Sequence, residues 1–249
     1  MPVGANRPPA DPEAVPPPIV SRLDPLLRTW VWARIAPYLA SRRIDDWDAL
    51  RRRLREPRSI LCLGNGPSSE DPCLLQVGHD CLMRVNWRWR ARRFLDRPDV
   101  VFVGDTRAVV KLRVGLFGFL DETLERIALL RRLLTRGPRR MEFFTMRRIS
   151  PLIRDGNWPA RPSNGALMVA AAAALRPARL VIAGIDLYRH PGGAYPGEPL
   201  AANEYPRAHR REVEVAIIAR ALSGLTSEVT IVGEPLQRAL AAVAVPGVA

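Results

Sequence analysis

The sequence predicts a three-layer α/β domain built on a mostly parallel sheet, and three observations lead there. Short apolar runs alternate with segments of helical periodicity along most of the chain. Several of these runs end in glycine, asparagine or aspartate, the usual exit of a parallel strand at the edge where ligands bind. With 249 residues, 47% of them hydrophobic, the chain can bury the core of one large domain, with or without a helical appendage.

Residues 1–18 read as a disordered arm, with prolines at 2, 8, 9, 12, 16, 17 and 18. Residues 19–56 read as a helical extension, with Leu23, Leu26, Leu27, Trp30, Val31, Ile35 and Leu39 at roughly helical spacing. Arg22, Arg28, Arg34, Arg42 and Arg43 lie between or just beyond them. This helix either packs on the main domain or, through Trp30 and Trp32, lies on an anionic membrane face. A second helix is expected from Asp45 to Arg55. Its opening, Asp46-Trp47-Asp48, has the D-x-D form of some metal sites, but a helix start favours acids through the dipole. It is read as a cap.

The α/β domain is expected over 57–249. Its first strand, Ser59 to Leu63, runs straight into Gly64-Asn65-Gly66-Pro67-Ser68. The two glycines let the backbone approach a ligand closely, and Asn65 offers both a donor and an acceptor. Pro67 sets the turn, and Ser68 is placed to cap the next helical turn while its amides face an anion. The third glycine of a dinucleotide fingerprint is replaced by Ser69, so the loop reads as a nucleotide site and not an NAD site.

A second strand spans Asp80 to Asn86, and a third, Val100 to Val103, ends in Gly104-Asp105-Thr106. Residues 107–135 read as mostly helical, and Met141 to Thr145 as a fourth strand. Arg161-Pro162-Ser163-Asn164-Gly165 caps an alanine-rich helix over 166–175, smooth enough to pack closely under a sheet. A fifth strand, Arg179 to Ala183, exits through Gly184-Ile185-Asp186-Leu187-Tyr188. The polar loop from Arg189 to Ala208 fits a lid. A helix from about Arg207 to Leu222, a last strand from Glu228 to Val232 and a short helix close the chain.

A net charge of +13 invites a nucleic-acid reading, but Lys111 is the sole lysine and the bias towards Ala, Arg and Pro is what a GC-rich genome produces. No nucleic-acid-binding motif accompanies the charge, and no nucleic-acid partner is expected. The basic surface still attracts nucleotides, anionic lipids and acidic glycans. Cys62, Cys73 and Cys81 are odd in number and pair with no histidine in metal-like spacing, which suits a reducing cytoplasm without disulfides or a bound metal. Residues 1–18 lack the apolar core of a signal peptide, and no run of 18 apolar residues spans a membrane. A cytoplasmic protein is expected, with contact at the inner membrane and homo-oligomerisation left open.

Taken together, the loop Gly64 to Ser68, Arg84-Val85-Asn86, Arg161 through Gly165, and Gly184 to Tyr188, with Tyr205 and His209 looser behind them, resemble a known family. This is the bacterial lipooligosaccharide-type sialyltransferases, which use CMP-sialic acid on a metal-independent, Rossmann-like fold. The resemblance covers roughly residues 59–232. It implies a glycosyltransferase that moves a nonulosonic acid, such as sialic acid or Kdo, from a CMP-activated donor to a glycan or lipid-linked acceptor in lipopolysaccharide-type biosynthesis, with no cofactor. By position, Asn65, Asn86 and Asn164 would hold the cytidine nucleotide, with Gly66, Pro67, Ser68, Ser163, Gly165, Asp186 and Tyr205 around it. Tyr188 and Tyr195 would steady the leaving phosphate, work a metal does elsewhere. His209 would be the general base, and Arg161 would meet phosphate or carboxylate as a bidentate donor.

Three positions depart from the family pattern. Asp105 follows the third strand where the family has asparagine, and is expected to take sugar or ribose hydroxyls. Asn164 replaces serine, and Tyr205 and His209 are one residue further apart than usual, so His190 competes as base. A flagellin-type nonulosonate transferase and a non-catalytic nucleotide-binding glycan-assembly protein remain alternatives. A basic surface-binding protein using the arginines of 88–93 and 131–140 is a third.

Overall fold

The computed structural model describes residues 41–136, 141–196 and 204–243. The expected arm at 1–18, the stretch with Trp30 and Trp32, and residues 197–203 of the expected lid lie outside them. Eight strands are described: β1 (Ser41–Arg43), β2 (Ser59–Leu63), β3 (Cys81–Val85), β4 (Val100–Val103), β5 (Leu116–Phe119), β6 (Met141–Thr145), β7 (Arg179–Ala183) and β8 (Glu228–Val232). They form one sheet in the order β1-β6-β5-β4-β3-β2-β7-β8, and every neighbouring pair is parallel.

Burial on both faces explains why β2, β4, β5 and β7 read as nearly unbroken apolar runs. Ile60 and Cys62 of β2 point into the core on one face of the sheet, and Leu61 and Leu63 into that on the other. Val100 and Phe102 of β4 likewise separate from Val101 and Val103, as the two-residue period of a strand requires. One face is covered by α6 (Asn164–Ala174) and α7 (Arg211–Leu222), the other by α2 (Ala108–Lys111) and α3 (Glu122–Arg136). The helix α6 is apolar all round and buried from Ala166 to Ala173. Its alanines let it lie close across β2, β3 and β4. The remaining helices are α1 (Trp47–Arg53), the short α4 (Met146–Ile149) and α5 (Pro151–Arg154), and α8 (Glu234–Ala241).

Three differences from the sequence expectation have physical causes. Residues 107–135 are mostly helical, but an unexpected strand, β5, separates α2 from α3. Its run Leu116-Phe117-Gly118-Phe119 is four residues long and merges with the periodicity of α3. Gly118 has a packing reason, since a Cβ there would lie 2.8 Å from the Phe144 ring and 3.0 Å from that of Phe102. The sheet also begins before residue 57. β1 pairs with β6, and Ile44 and Leu50 enter the main core, so residues 41–56 belong to the α/β unit. Buried Glu125 of α3 clamps this edge, accepting from Arg43 of β1 and Thr145 of β6. Finally, the helix expected from Arg207 starts at Arg211. Asp46 is the cap it was read to be, its side chain accepting from the Ala49 amide at 2.6 Å.

The order of strands locates the site. From β2 the chain builds outward through β3 to β6, then crosses back so that β7 lands on the other flank of β2. Strand order reverses there, and the carboxyl ends of β2 and β7 open a crevice of the kind that holds ligands in open α/β sheets. Among the described residues no helix is long and apolar enough to cross a membrane.

Candidate active site

A cavity of about 340 Å³ fills that crevice. Its walls are the exits of β2 (Gly64–Gly66), β3 (Asn86–Arg88), β4 (Gly104, Asp105) and β7 (Gly184–Tyr188), with Arg161–Gly165 at the start of α6. Ala194, Tyr195, Tyr205, Pro206, His209 and Glu214 complete it. The structure thus brings together Asn65, Gly66, Asn86, Asp105, Arg161, Ser163, Asn164, Gly165, Asp186, Tyr188, Tyr195, Tyr205 and His209. Pro67 and Ser68 are not on the wall.

The glycines of the first loop, besides lining the cavity, let that loop pack tightly on its neighbour. A Cβ on Gly64 would sit 2.1 Å from the Gly184 carbonyl oxygen, and one on Gly66 would sit 2.4 Å from Asp186 Oδ2. The close approach they allow is to the neighbouring β7 loop. The Gly66 amide donates to the Gly184 carbonyl at 2.9 Å. Ser68 fastens the same two loops: its amide donates to Asp186 Oδ2 at 2.9 Å, its hydroxyl to Oδ1 at 2.5 Å, and it accepts from the Gly184 amide at 2.7 Å. Gly66, not Ser68, occupies the cap of the following 3-10 turn, Pro67–Glu70. Asp186 is 4% exposed and takes the part of a loop acceptor.

The asparagines divide their work. Asn65 is buried at the cavity, and its Oδ1 has no hydrogen-bond partner within the protein. Such an atom is costly unless a ligand or water answers it. Asn86 turns the chain in the left-handed region, at φ 52°, and its Oδ1 accepts from the Gly104 and Asp105 amides at 2.8 and 3.0 Å. Its amide nitrogen is the remaining polar end at the cavity. Gly104 makes room for Asn164, whose Nδ2 would be 2.2 Å from a Cβ there. The carboxylate of Asp105 accepts from Trp87 Nε1 at 2.9 Å and pairs with Arg107 at 2.7 Å. Burial raises its pKa, but the bonds from Arg107 and Trp87 and the Arg107 charge outweigh that and hold it at about 2. Much of its charge is therefore answered before any phosphate arrives. Arg84 of the second block is fully buried and structural, reaching the carbonyls of Phe94 and Leu95.

Three tyrosines gather over the cavity. Leu187 and Tyr188, which lie in the β7 exit, are both left-handed, at φ 51° and 52°, and both line the cavity. The Tyr188 and Tyr195 hydroxyls are 3.2 Å apart, and the Tyr188 and Tyr205 rings lie 4.8 Å apart. The Arg88 guanidinium sits 5.1 Å over the Tyr195 ring. Burial, the bond with Tyr195 and the negative charge of Glu214 push the Tyr188 phenol well above its ordinary range. It stays protonated, a donor.

His209 lies just before the cap of α7, Arg210, rather than inside the helix. Its Nδ1 is 2.7 Å from the Arg161 carbonyl oxygen. A carbonyl only accepts, so Nδ1 carries the proton and Nε2 of the neutral ring holds the lone pair. His190 is off the cavity wall, its Nδ1 accepting from the Gly192 amide at 2.9 Å. Of the two histidines, His209 is the one on the cavity wall.

The sequence reading missed Glu214, Trp87 and Arg88. Glu214 is 6% exposed on α7 and accepts from the hydroxyls of Ser163 and Tyr205, the latter at 2.7 Å. Burial raises its pKa, opposed by those two bonds and by His209. It ties the cap of α6 to the tyrosine cluster. The signal was an acid inside the apolar run Val213 to Ile218. Among the described residues no group of three or more His, Cys, Asp or Glu side chains could hold a metal ion.

No family model matches the chain, and no curated protein does. Solved structures do. The sialyltransferase CstII from Campylobacter jejuni in complex with the substrate analogue CMP-3FNeuAc superposes with a TM-score of 0.50 at 14% identity, over 70% of this chain and 81% of that one. The monofunctional alpha-2,3-sialyltransferase Cst-I from the same organism gives 0.52 at 15%, over 71% and 76%. A variant of the sialyltransferase Cst-II in complex with CMP gives 0.51 at 14%, over 70% and 81%. At these identities the likeness is one of fold: the chain has the Rossmann-like α/β fold of these sialyltransferases.

Proposed function

We propose that the protein is a glycosyltransferase that moves a nonulosonic acid, such as sialic acid, from a CMP-activated donor to a hydroxyl of a glycan or lipid-linked acceptor. The observation that carries this reading is one wall bearing paired phenols, Tyr188 and Tyr195, and an imidazole whose tautomer is set by a carbonyl. The neighbours of the same fold are sialyltransferases, two of them bound to CMP or a CMP-sugar analogue.

On this reading Asn65 and the amide nitrogen of Asn86 bind the cytidine, with Asn164 and Gly165 beside it at the amino end of α6. The phenols donate to the phosphate as the sugar–oxygen bond breaks and charge gathers on the leaving CMP. No metal step is needed where neutral donors meet that charge. His209 Nε2 takes the proton of the acceptor hydroxyl as it attacks the anomeric carbon. Arg161 meets the donor carboxylate, and Asp105, already partnered by Trp87 and Arg107, accepts from sugar hydroxyls. The work belongs to lipopolysaccharide-type assembly, in the cytoplasm or at the inner membrane face.

A thermal-shift panel of CMP, UMP, GMP and ADP tests the nucleotide class. CMP at 100 times its Kd is expected to add about 2.7 kcal/mol of stability. Selective stabilisation by UMP or GMP would overturn the reading, and CMP binding without donor turnover would favour a non-catalytic glycan-assembly protein.

A further inference from the structure

A second cavity, of about 460 Å³, lies beyond Trp87 and has a different character. Trp87 lines the first cavity and Lys111 the second, and the two are stacked, with the Lys111 ammonium 3.3 Å from the indole centroid. Five cations line this second space, Arg90, Arg97, Lys111, Arg113 and Arg136, against one acid, Asp96.

Two of the guanidiniums are held in place by backbone carbonyls. Arg90 donates to the Lys111 carbonyl at 2.8 Å, and Arg136 donates twice to that of Val110, at 3.1 and 2.7 Å. The one lysine of the chain spends its contact on an aromatic face and not on a carboxylate. Among the described residues none of the five forms an ion pair. Elsewhere the chain answers its arginines with acids, as in Arg92 with Glu70 and Arg53 with Glu142. Five cations around one space with a single acid among them repel one another, and an anion bound there lowers that cost. Several guanidiniums converging on one space suit the geometry and charge of phosphate better than a single carboxylate.

We propose that this second cavity binds a diphosphate or phosphomonoester group, at a site separate from the nucleotide crevice. A soluble sugar phosphate and a lipid headgroup present the same chemistry there. Either would bring a phosphate-bearing molecule to the Trp87 wall of the first cavity.

Calorimetric titration of the full chain with inorganic pyrophosphate, with and without CMP, tests this. One pyrophosphate site should persist when CMP is present. Arg97→Ala/Arg113→Ala removes two exposed cations and should weaken it by about tenfold or more, leaving the CMP response intact. Arg52→Ala/Arg58→Ala removes the same charge elsewhere and should leave affinity unchanged. Equal weakening by both pairs, displacement by CMP, or no binding would overturn the proposal. Should CMP fail to bind at all, comparison of the two double variants still decides the matter. Sedimentation with phosphatidate vesicles, against phosphatidylcholine, separates the sources: a supported site that binds vesicles takes a headgroup, and one that ignores them takes a soluble phosphate.

Discussion

His209 and Arg161 meet across 48 positions of sequence, the imidazole Nδ1 lying 2.7 Å from the arginine's carbonyl oxygen. The Arg161 amide in turn donates to the Ala208 carbonyl at 3.0 Å. This two-point clasp aligns the segment before α7 with the segment before α6, and it aims Nε2 away from the backbone. If Nε2 takes the acceptor proton, His209→Ala should lower sugar transfer by about 10²–10⁴-fold with CMP affinity nearly unchanged. Loss of transfer in His190→Ala with His209→Ala fully active would move the base into the loop.

The Tyr188–Tyr195 pair makes a second expectation. Each phenol donates best when the phosphate gains charge, so Tyr188→Phe and Tyr195→Phe should each depress kcat more than nucleotide affinity. The loss of one such donor costs about 2.7–4 kcal/mol at the barrier. Because the hydroxyls touch, the double variant should lose less than the sum of the two. Single-turnover rates of donor consumption measure this, and wild-type turnover in the double variant would reduce both side chains to packing.

Turnover is expected to survive EDTA. Asp186 gives both carboxylate oxygens to Ser68, and Asp105 is engaged by Trp87 and Arg107. A strict need for Mn²⁺ or Mg²⁺ in the same assay would hand one of these aspartates a ligand role and undo the phenol argument.

Glu214 predicts a pH dependence of stability. Its carboxyl is raised in the folded protein from an ordinary value of 4.5. Above about pH 4.5 the unfolded chain has released this proton while the folded one keeps it, so the native state binds more protons and stability falls as pH rises. The decline ends once the folded carboxyl has also ionised. Glu214→Gln cannot titrate and should remove this component. Urea unfolding at a series of pH values from 4.5 upward compares the two, and parallel curves would mean that Glu214 ionises alike in both states.

Much of this architecture is written in local sequence. Ser59–Leu63, Val100–Val103, Met141–Thr145, Arg179–Ala183 and Glu228–Val232 occupy the expected positions. All but the half-exposed edge strand β8 are buried almost throughout, which calls for apolar residues on both faces. Exits rich in Gly, Asn and Asp mark the edge where the cavity lies, since such residues take most readily the turns and left-handed conformations found at Asn86 and Gly184. The strands β1 and β5 escaped notice, being three and four residues long and stabilised by neighbours distant in sequence. Local sequence specified the Asp46 cap, but the side-chain roles at the site depend on tertiary contacts. Ser68 looked like a cap until Asp186, 118 residues away, claimed its amide and hydroxyl. Glu214 joins the site only because Ser163 and Tyr205 enclose it. A run of residues sets the solvent preference and backbone freedom of its own segment. Which donor finds which acceptor depends on how the sheet stacks loops that are far apart along the chain, and no local pattern encodes that.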